Sequence, residues 1–405
     1  MCLSLFGDLA LFASLPVYHL QLGISVVSLG LVFSVHRLIR IPGNPIYGAV
    51  MGNYSRKPFF YLGVLFAILS TAGYGVAEGL AQLIFFRILW GLAWIFIYLT
   101  SMAMVVDQTR QENRGRWMGT LNAWYLAGIA GGSFAGGFLV DLLGFRISMF
   151  LCAAFSLLAL LILHRLVIET KQERFVFDRG VILSEIKNQF VGITKSLGKI
   201  KQNRKIVLIL IVYLIYQFAG EGVALSMLAY SLLERFGSSI SVGWWVMGAA
   251  TVSGLFLAFR YLFSALISPR IGSLSDHRAD GNRFATTFAG LVVGAISFLF
   301  LAYGNQIGWV LFGILLNAIG GAAMLVSLAA MIGDVSARDS GTNWLGVYAA
   351  AGDIGSSLGP LSGYLLLPIL GVPSVFLLCS ILFVTCSMVL VGFQKNLFKK
   401  VRLGD

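Results

Sequence analysis

Charge is scarce in this chain. Only 11% of its 405 residues are Asp, Glu, Lys or Arg, against 58% hydrophobic ones, where about a quarter charged is usual for a soluble domain. That deficit excludes a soluble globular protein and marks an integral membrane protein. Cysteine is scarce too. Cys2, Cys152, Cys379 and Cys386 sit in apolar context without Cys-x-x-Cys or His-rich spacing, so neither a disulfide framework nor a metal site is expected, and all four read as small buried hydrophobes. No Gly-Lys-Ser/Thr element occurs, which disfavours ATP coupling. No nucleophile, base and orienting group stand at recognisable spacing, so an enzyme is not expected and no cofactor is implied. A basic n-region ahead of the first apolar run is missing as well, and Met1 to Leu20 reads as a retained first span, not a cleaved signal.

What is present is apolar length. A span needs roughly 20 mostly apolar residues, and cutting at charge clusters predicts twelve: 3–20, 24–50, 59–77, 82–105, 117–140, 147–167, 206–232, 242–268, 284–303, 308–332, 344–368 and 375–393. The net charge of +12 does not imply nucleic acid, because the basic residues cluster in alternate loops. With the N-terminus inside, thirteen Lys and Arg lie on inner segments even without the central loop, and only Arg146 and Arg235 lie outside. This bias predicts a multi-pass protein of the plasma (inner) membrane with both termini cytoplasmic. Ten more basic residues fall between His164 and Lys205. There Ile182, Ile186, Phe190, Leu197 and Ile200 recur near helical spacing, which suits a helix lying on the inner membrane surface.

Two glycine stretches organise the remainder. Gly128, Gly132 and Gly136, and 227 residues later Gly355, Gly359 and Gly363, fall every fourth residue, so each set lines one helix face and admits a close neighbour. The chain repeats itself around them. At an offset of 224, Gly30, Leu31, Leu38, Pro45 and Gly48 meet Gly254, Leu255, Leu262, Pro269 and Gly272; at 227, Gly63, Asp107, Trp117, Gly119, Gly144 and Cys152 meet Gly290, Asp334, Trp344, Gly346, Gly371 and Cys379. The expected architecture is all-α, with twelve transmembrane helices in two pseudo-symmetric six-helix bundles. Its expected parts are 1–167 for the first bundle, 168–205 for a basic cytoplasmic linker, and 206–405 for the second bundle with a short basic tail. Six spans repeated in one orientation imply a pathway between the halves and alternating access by rocking.

Ionisable groups at bilayer depth each require a partner, a wet cavity or a function. Asp8 in span 1 and Glu221 in span 7 occupy positions one residue apart when the two spans are aligned. They are candidate proton-coupling sites, with a static ion pair as the alternative. Asp353 in span 11 is a weaker candidate, since Ala349, Ala350 and Ser357 around it also suit a packing role. His36, Arg37 and Arg40 gather within one turn of span 2, and Arg260 stands opposite His36 in the repeat. Either they pair with acids such as Asp8, or they bind an anionic group on a substrate. Arg87 in span 4 is the natural partner of a span 1 carboxylate. Trp90, Trp94 and Tyr98 step along span 4, with Trp124 and Tyr125 in span 5; Trp94, Tyr98 and Trp124 are candidate wall residues for flat apolar substrates, bundle packing or an interfacial belt being the alternative.

Over its whole length the sequence resembles the major facilitator superfamily. The glycine stretches are similar to that family's g-x-x-x-G-P-x-x-G-G pattern, associated with antiporters; the first has Ser133 at the proline position and the second keeps Pro360. Gly48-Ala-Val-Met-Gly52-Asn-Tyr-Ser55-Arg56-Lys57 is similar to the G-x-L-a-D-r-x-G-r-k signature, departing at Gly52 and Ser55, whereas the second copy retains the acid as Asp276. In the family that aspartate helps hold the cytoplasmic bundle ends together, so a lopsided lock is implied. Arg87-Ile-Leu-Trp-Gly91 resembles the R-x-x-x-G element linked to proton coupling. The resemblance implies a monomeric secondary transporter, resembling the drug/proton antiporters, that exports amphiphilic small molecules with protons and lipids as further partners. Transport of an organic or lipid-linked anion, and a non-transporting receptor or scaffold, are the alternatives.

Overall fold

A computed structural model describes the chain apart from residues 53, 111, 172–178, 201–202, 277–278, 339–342 and 404–405, and apart from the side chains of 179, 181–182, 276, 279–282, 338 and 393–403. The described residues are almost wholly helical. A short 3-10 turn (Leu3–Leu5) leads into α1 (Phe6–Tyr18), followed by α2 (Val26–Leu38), α3 (Arg40–Met51), α4 (Arg56–Val76), α5 (Leu80–Gln108), α6 (Arg114–Leu143), α7 (Phe145–Leu166) and α8 (Arg179–Ile200). The second half runs α9 (Arg204–Tyr216), a π-helical segment (Gln217–Ala224), α10 (Leu225–Phe236), strands β1 (Ser239–Val242) and β2 (Trp245–Gly248), α11 (Ala249–Asp276), α12 (Ala279–Tyr303), α13 (Ile307–Arg338) and α14 (Trp344–Leu403).

Among the described residues, eleven helical stretches are long and apolar enough to cross a membrane. The last is two crossings in one, because Gly371 breaks α14 with φ 73° and ψ 163°. Its repeat partner Gly144 turns α6 into α7 with φ 80° and ψ 165°. The doubled sequence therefore builds the same left-handed corner twice, at positions where a side chain would be strained. Span 8 departs from expectation. Residues 242–248 belong to an antiparallel hairpin, Val242 pairing with Trp245 around Gly243 at φ 62°, and the helix starts at Ala249. A glycine free to take positive φ allowed the tight turn, and the apolar run on either side of it paired as strands.

Helix starts are set by local chemistry. Ser25 caps α2 by accepting from the Ser28 amide, and Asn203 caps α9 by accepting from the Lys205 and Ile206 amides, each satisfying amides that have no carbonyl partner in the first turn. Ser55 makes no such bond at the start of α4. There the carboxylate of Glu169 accepts from the Arg56 and Lys57 amides, both at 2.9 Å.

The chain groups into two compact units. One comprises Met1–Gly192, Leu225–Ala258 and Pro360–Leu365; the other comprises Ile193–Ala224, Phe259–Gly359 and Leu366–Asp405. Within the first, Gly128, Gly132 and Gly136 of α6 face Cys2, Phe6 and Ala10, so that a Cβ on Gly132 would lie 2.9 Å from the Phe6 Cα. Within the second, Gly355 and Gly359 of α14 face Leu214, Phe218 and Gly222 at the α9 and π-helical segment. Removing side chains brings backbones close enough for dispersion to hold helices together where lipid offers no hydrophobic advantage.

Candidate functional site

The first unit buries a complete polar cluster. Asp8 on α1 is 8% exposed, His36 on α2 3%, and Arg87 on α5 has no exposure at all. Arg87 donates from Nη1 to Asp8 and to the Tyr74 hydroxyl, from Nε to the Val32 carbonyl at 3.1 Å, and from Nη2 to His36 Nδ1 at 2.6 Å. A guanidinium has no acceptor, so His36 must accept through Nδ1 and is a neutral imidazole in this arrangement. The Phe12 ring lies 5.5 Å under the guanidinium. Gly91, one turn beyond Arg87, abuts the His36 backbone, which is what lets α5 approach α2 closely. Each nitrogen of Arg87 has a partner, the condition for tolerating a charge removed from water.

The second unit carries a related cluster on the equivalent helices. Arg260 on α11 is 3% exposed and donates from Nε to Asn317 Oδ1 at 3.0 Å, and from Nη2 to Glu221 Oε1 at 2.6 Å and the Gly220 carbonyl at 3.3 Å. The Tyr261 hydroxyl bonds the other Glu221 oxygen at 2.9 Å. Glu221 and Gly220 sit in the π-helical segment. The wider turn of such a segment frees carbonyls from the helical ladder, a feature frequent at functional sites. Asn317 and Tyr261 were not singled out from sequence, although Tyr261 adjoins Arg260. The Gly220-Glu221-Gly222 triplet was the only signal of an irregular helix.

In the first unit the rings fall into order. Trp90, Trp94 and Tyr98 stack along α5 with centroids 6.3 and 5.4 Å apart, and Tyr125 of α6 closes the group at 5.6 Å from Trp94. Trp124 is turned away, 61% exposed. Successive helical residues differ by about 100°, so Tyr125 takes the inward place expected of its neighbour. Arg37 and Arg40 are half-buried near His36; Asp8 forms its ion pair with Arg87. Asp353 is buried, 5% exposed, and its neighbour Gly352 abuts the Tyr213 ring.

At the ends of the spans away from the linker, the repeat crosses over itself inside the first unit. Gly30 packs on Pro360 and Tyr364, and Gly254 packs on Ser133. Gly30 and Gly254 are repeat equivalents, and so are Pro360 and Ser133, so one contact is made twice. Nearby, Gly137 abuts Ala250 and Gly248 abuts Asp141. The Asp141 carboxylate accepts from the Thr251 amide and hydroxyl, both at 2.6 Å, placing an anion at the first turn of α11.

At the opposite ends, Arg56 donates to Asp107 at 3.0 Å and Thr170 donates to the same oxygen. The equivalent residues Arg283 and Asp334 also pair. Lys171 bonds the carbonyl of Gly52, where the family pattern has an acid. Gly48 has open space around it; Lys57 offers its amide to Glu169 and lies over the Tyr61 ring; Gly363 is buried. The side chain of Asp276 lies outside the described residues. Partial burial opposes ionisation of Glu169, but the amides of Lys171, Lys57, Arg56 and Thr170 outweigh it and hold the carboxyl below its ordinary range.

Comparison with known proteins agrees with this architecture. The Major Facilitator Superfamily pattern matches residues 1–261 and 247–400. The multidrug resistance protein MdtG of Citrobacter koseri is 26% identical over 354 residues, covering 86% of this chain and 82% of that protein, and MdtG of Salmonella choleraesuis is 27% identical over 267 residues, covering 65% and 61%. Among solved structures, a POT family transporter in complex with 5-aminolevulinic acid has a TM-score of 0.76 at 13% identity, covering 98% of this chain and 94% of its own, and the human organic anion transporter MFSD10 (TETRAN) has 0.64 at 17%, covering 96% of each. The chain belongs to the Major Facilitator Superfamily: it is a multi-pass membrane transporter of small molecules, not an enzyme.

Proposed function

We propose that the chain is a proton-coupled exporter of amphiphilic, drug-like molecules, working as a monomer by alternating access in the plasma (inner) membrane with both termini cytoplasmic. The observation that carries this reading is the buried Asp8–Arg87–His36 cluster. Proton uptake by Asp8 removes the anion that Arg87 answers, and a buried cation without its counterion is unfavourable by several kcal/mol. The cluster must then rearrange, only the neutral acceptors His36, the Val32 carbonyl and the Tyr74 hydroxyl being left to Arg87, and that rearrangement is the step to which transport is tied. The MdtG relatives, named as multidrug resistance proteins, support amphiphilic cargo, as does the aromatic row of Trp90, Trp94, Tyr98 and Tyr125.

Uptake into inverted membrane vesicles under an imposed proton gradient tests it. A cationic dye accumulates with wild-type protein, and Asp8→Asn abolishes gradient-driven accumulation while binding persists. Accumulation independent of the gradient in both proteins ends the coupling claim. The half-burial of Arg37 and Arg40 beside His36 favours one second reading, export of an organic anion. Gln at either position then weakens anionic ligands strongly and neutral ones little; equal loss makes those arginines structural.

A further inference from the structure

Arg87 and Arg260 occupy comparable sites in the two halves, and they differ in what is left over. Every nitrogen of Arg87 has a partner. On Arg260, Nε and Nη2 are used, while Nη1 is buried and makes no hydrogen bond among the described residues. A guanidinium Nη carries two N–H donors, and a buried donor left unmatched costs free energy. Close by, the buried Oε1 of Gln217 also makes no hydrogen bond among the described residues, its Nε2 being held by the Tyr213 hydroxyl at 2.7 Å. Tyr213 stacks on Tyr348 with ring centroids 3.7 Å apart and packs beside Tyr216, and Tyr216 packs against Gly220 next to Arg260. The Glu221 side chain retains 17% exposure, which opens an approach to this end of the cluster.

We propose that Arg260 Nη1 is the anchor of a ligand site in the second unit, bordered by Gln217, Glu221 and the Tyr213–Tyr348 stack, and that it takes a neutral carbonyl group carried on an aromatic or alicyclic body. The donor on Arg260 demands an acceptor. Charge decides which acceptor: Glu221 already answers Arg260, Asp353 acts on Tyr213, and a carboxylate would add a further anion beside them. A ketone, amide or lactone oxygen accepts without that repulsion, and the stacked tyrosines suit the flat body behind it. The assignment deepens the export reading by naming the chemistry of the cargo, and it is tested separately from it.

The test uses one ring system with three substituents: 2-acetylnaphthalene, 2-isopropylnaphthalene of nearly the same shape but no acceptor, and 2-naphthoate. Equilibrium binding is measured on the full chain in lipid nanodiscs, with partition into empty nanodiscs subtracted. Wild-type protein binds the ketone roughly tenfold more tightly than the hydrocarbon, the worth of one hydrogen bond from a charged donor after desolvation, and binds the naphthoate more weakly than the ketone. Arg260→Lys keeps a cation for Glu221 but loses the fork, and brings the ketone-to-hydrocarbon ratio close to one; Gln217→Leu lowers it less. Should Arg260→Lys not fold, the ratio in wild-type protein decides alone. Equal binding of ketone and hydrocarbon by wild type, tightest binding of naphthoate, or an undiminished ratio in Arg260→Lys overturns the assignment. Vesicle transport of the same probes separates the two ideas: gradient-driven movement without ketone preference sinks the site and spares the exporter, whereas a preserved preference without gradient-driven movement sinks the exporter and spares the site.

Discussion

The two arginine clusters descend from one repeated plan and have reached different ends. In the first unit Arg87 ties α1, α2, α4 and α5 together through Asp8, His36, the Val32 carbonyl and Tyr74. In the second, Arg260 has moved to the helix that carries His36 in the first, a carboxamide on α13 takes part from the helix equivalent to α5, and the carboxylate sits on a π turn with partial exposure. The first is closed on itself. The second is left with an unmatched donor and a partly exposed acid, which is the arrangement a ligand can complete. On the two proposals above, duplication permits division of labour: one half would hold the charge that a proton can release, the other the groups that recognise cargo.

Breaking the closed cluster gives the largest expected effect. Arg87→Met leaves Asp8 buried beside a neutral imidazole, and the loss of one partner from a buried pair costs about 3–5 kcal/mol, read as a lowered unfolding midpoint in detergent. Asp8→Asn combined with Arg87→Met recovers much of that loss, since removing both charges removes the uncompensated one. Arg260→Met costs less, because Glu221 keeps the Tyr261 hydroxyl and some contact with solvent. Equal losses at Arg87 and Arg260 contradict the distinction between the clusters.

The crossed glycine contacts sharpen the comparison next. Gly30 on Pro360 and Gly254 on Ser133 make the same approach, so Gly30→Leu and Gly254→Leu both force backbones apart, at roughly 1–3 kcal/mol by the usual cost of overpacking. Both variants lose most transport while still inserting and folding. Asp141→Ala is milder. It removes an acceptor from the first turn of α11 at about 1 kcal/mol, and Gly254→Leu retaining wild-type turnover counts against transport depending on this close approach.

Span number, the repeat and the small-residue faces were legible because they depend on composition and periodicity alone. The corner at Gly371 could be anticipated from Gly144 for the same reason. Beyond the Asp8–Arg87 pair, pairing was harder to read. Asp8, His36, Arg87, Glu221 and Arg260 each stand out as charges or imidazole in apolar sequence, yet which of them meet is fixed by helix rotation, and a helix apolar on all sides carries little rotational signal. That is why Trp124 and Tyr125 exchanged places. Asn317, Tyr261 and Gln217 are neutral and ordinary in composition, so their roles follow only from the side chains they face. The hairpin at 239–248 was hidden because a short apolar run reads equally as strand or span end.

Glu169 supplies the smallest and most specific contrast. Arg56–Asp107 and Arg283–Asp334 are repeat-related pairs, but at the first a carboxylate from beyond α7 also caps α4. Amide hydrogen exchange at Arg56 and Lys57 reads that cap directly. Glu169→Ala speeds exchange there, by roughly two- to tenfold for a largely solvated cap, and leaves the first turn of α12 unchanged. The pH dependence has a definite sign. The carboxyl is held below its ordinary value of 4.5 in the folded chain, so its contribution is complete above that value and is lost as pH falls through the lower, folded one. Wild type and Glu169→Ala therefore differ by a constant factor from neutrality down to about pH 5, and converge only in more acidic solution. Convergence already near pH 6 would mean that the amides do not stabilise the ionised form, and that α4 is capped by some other group.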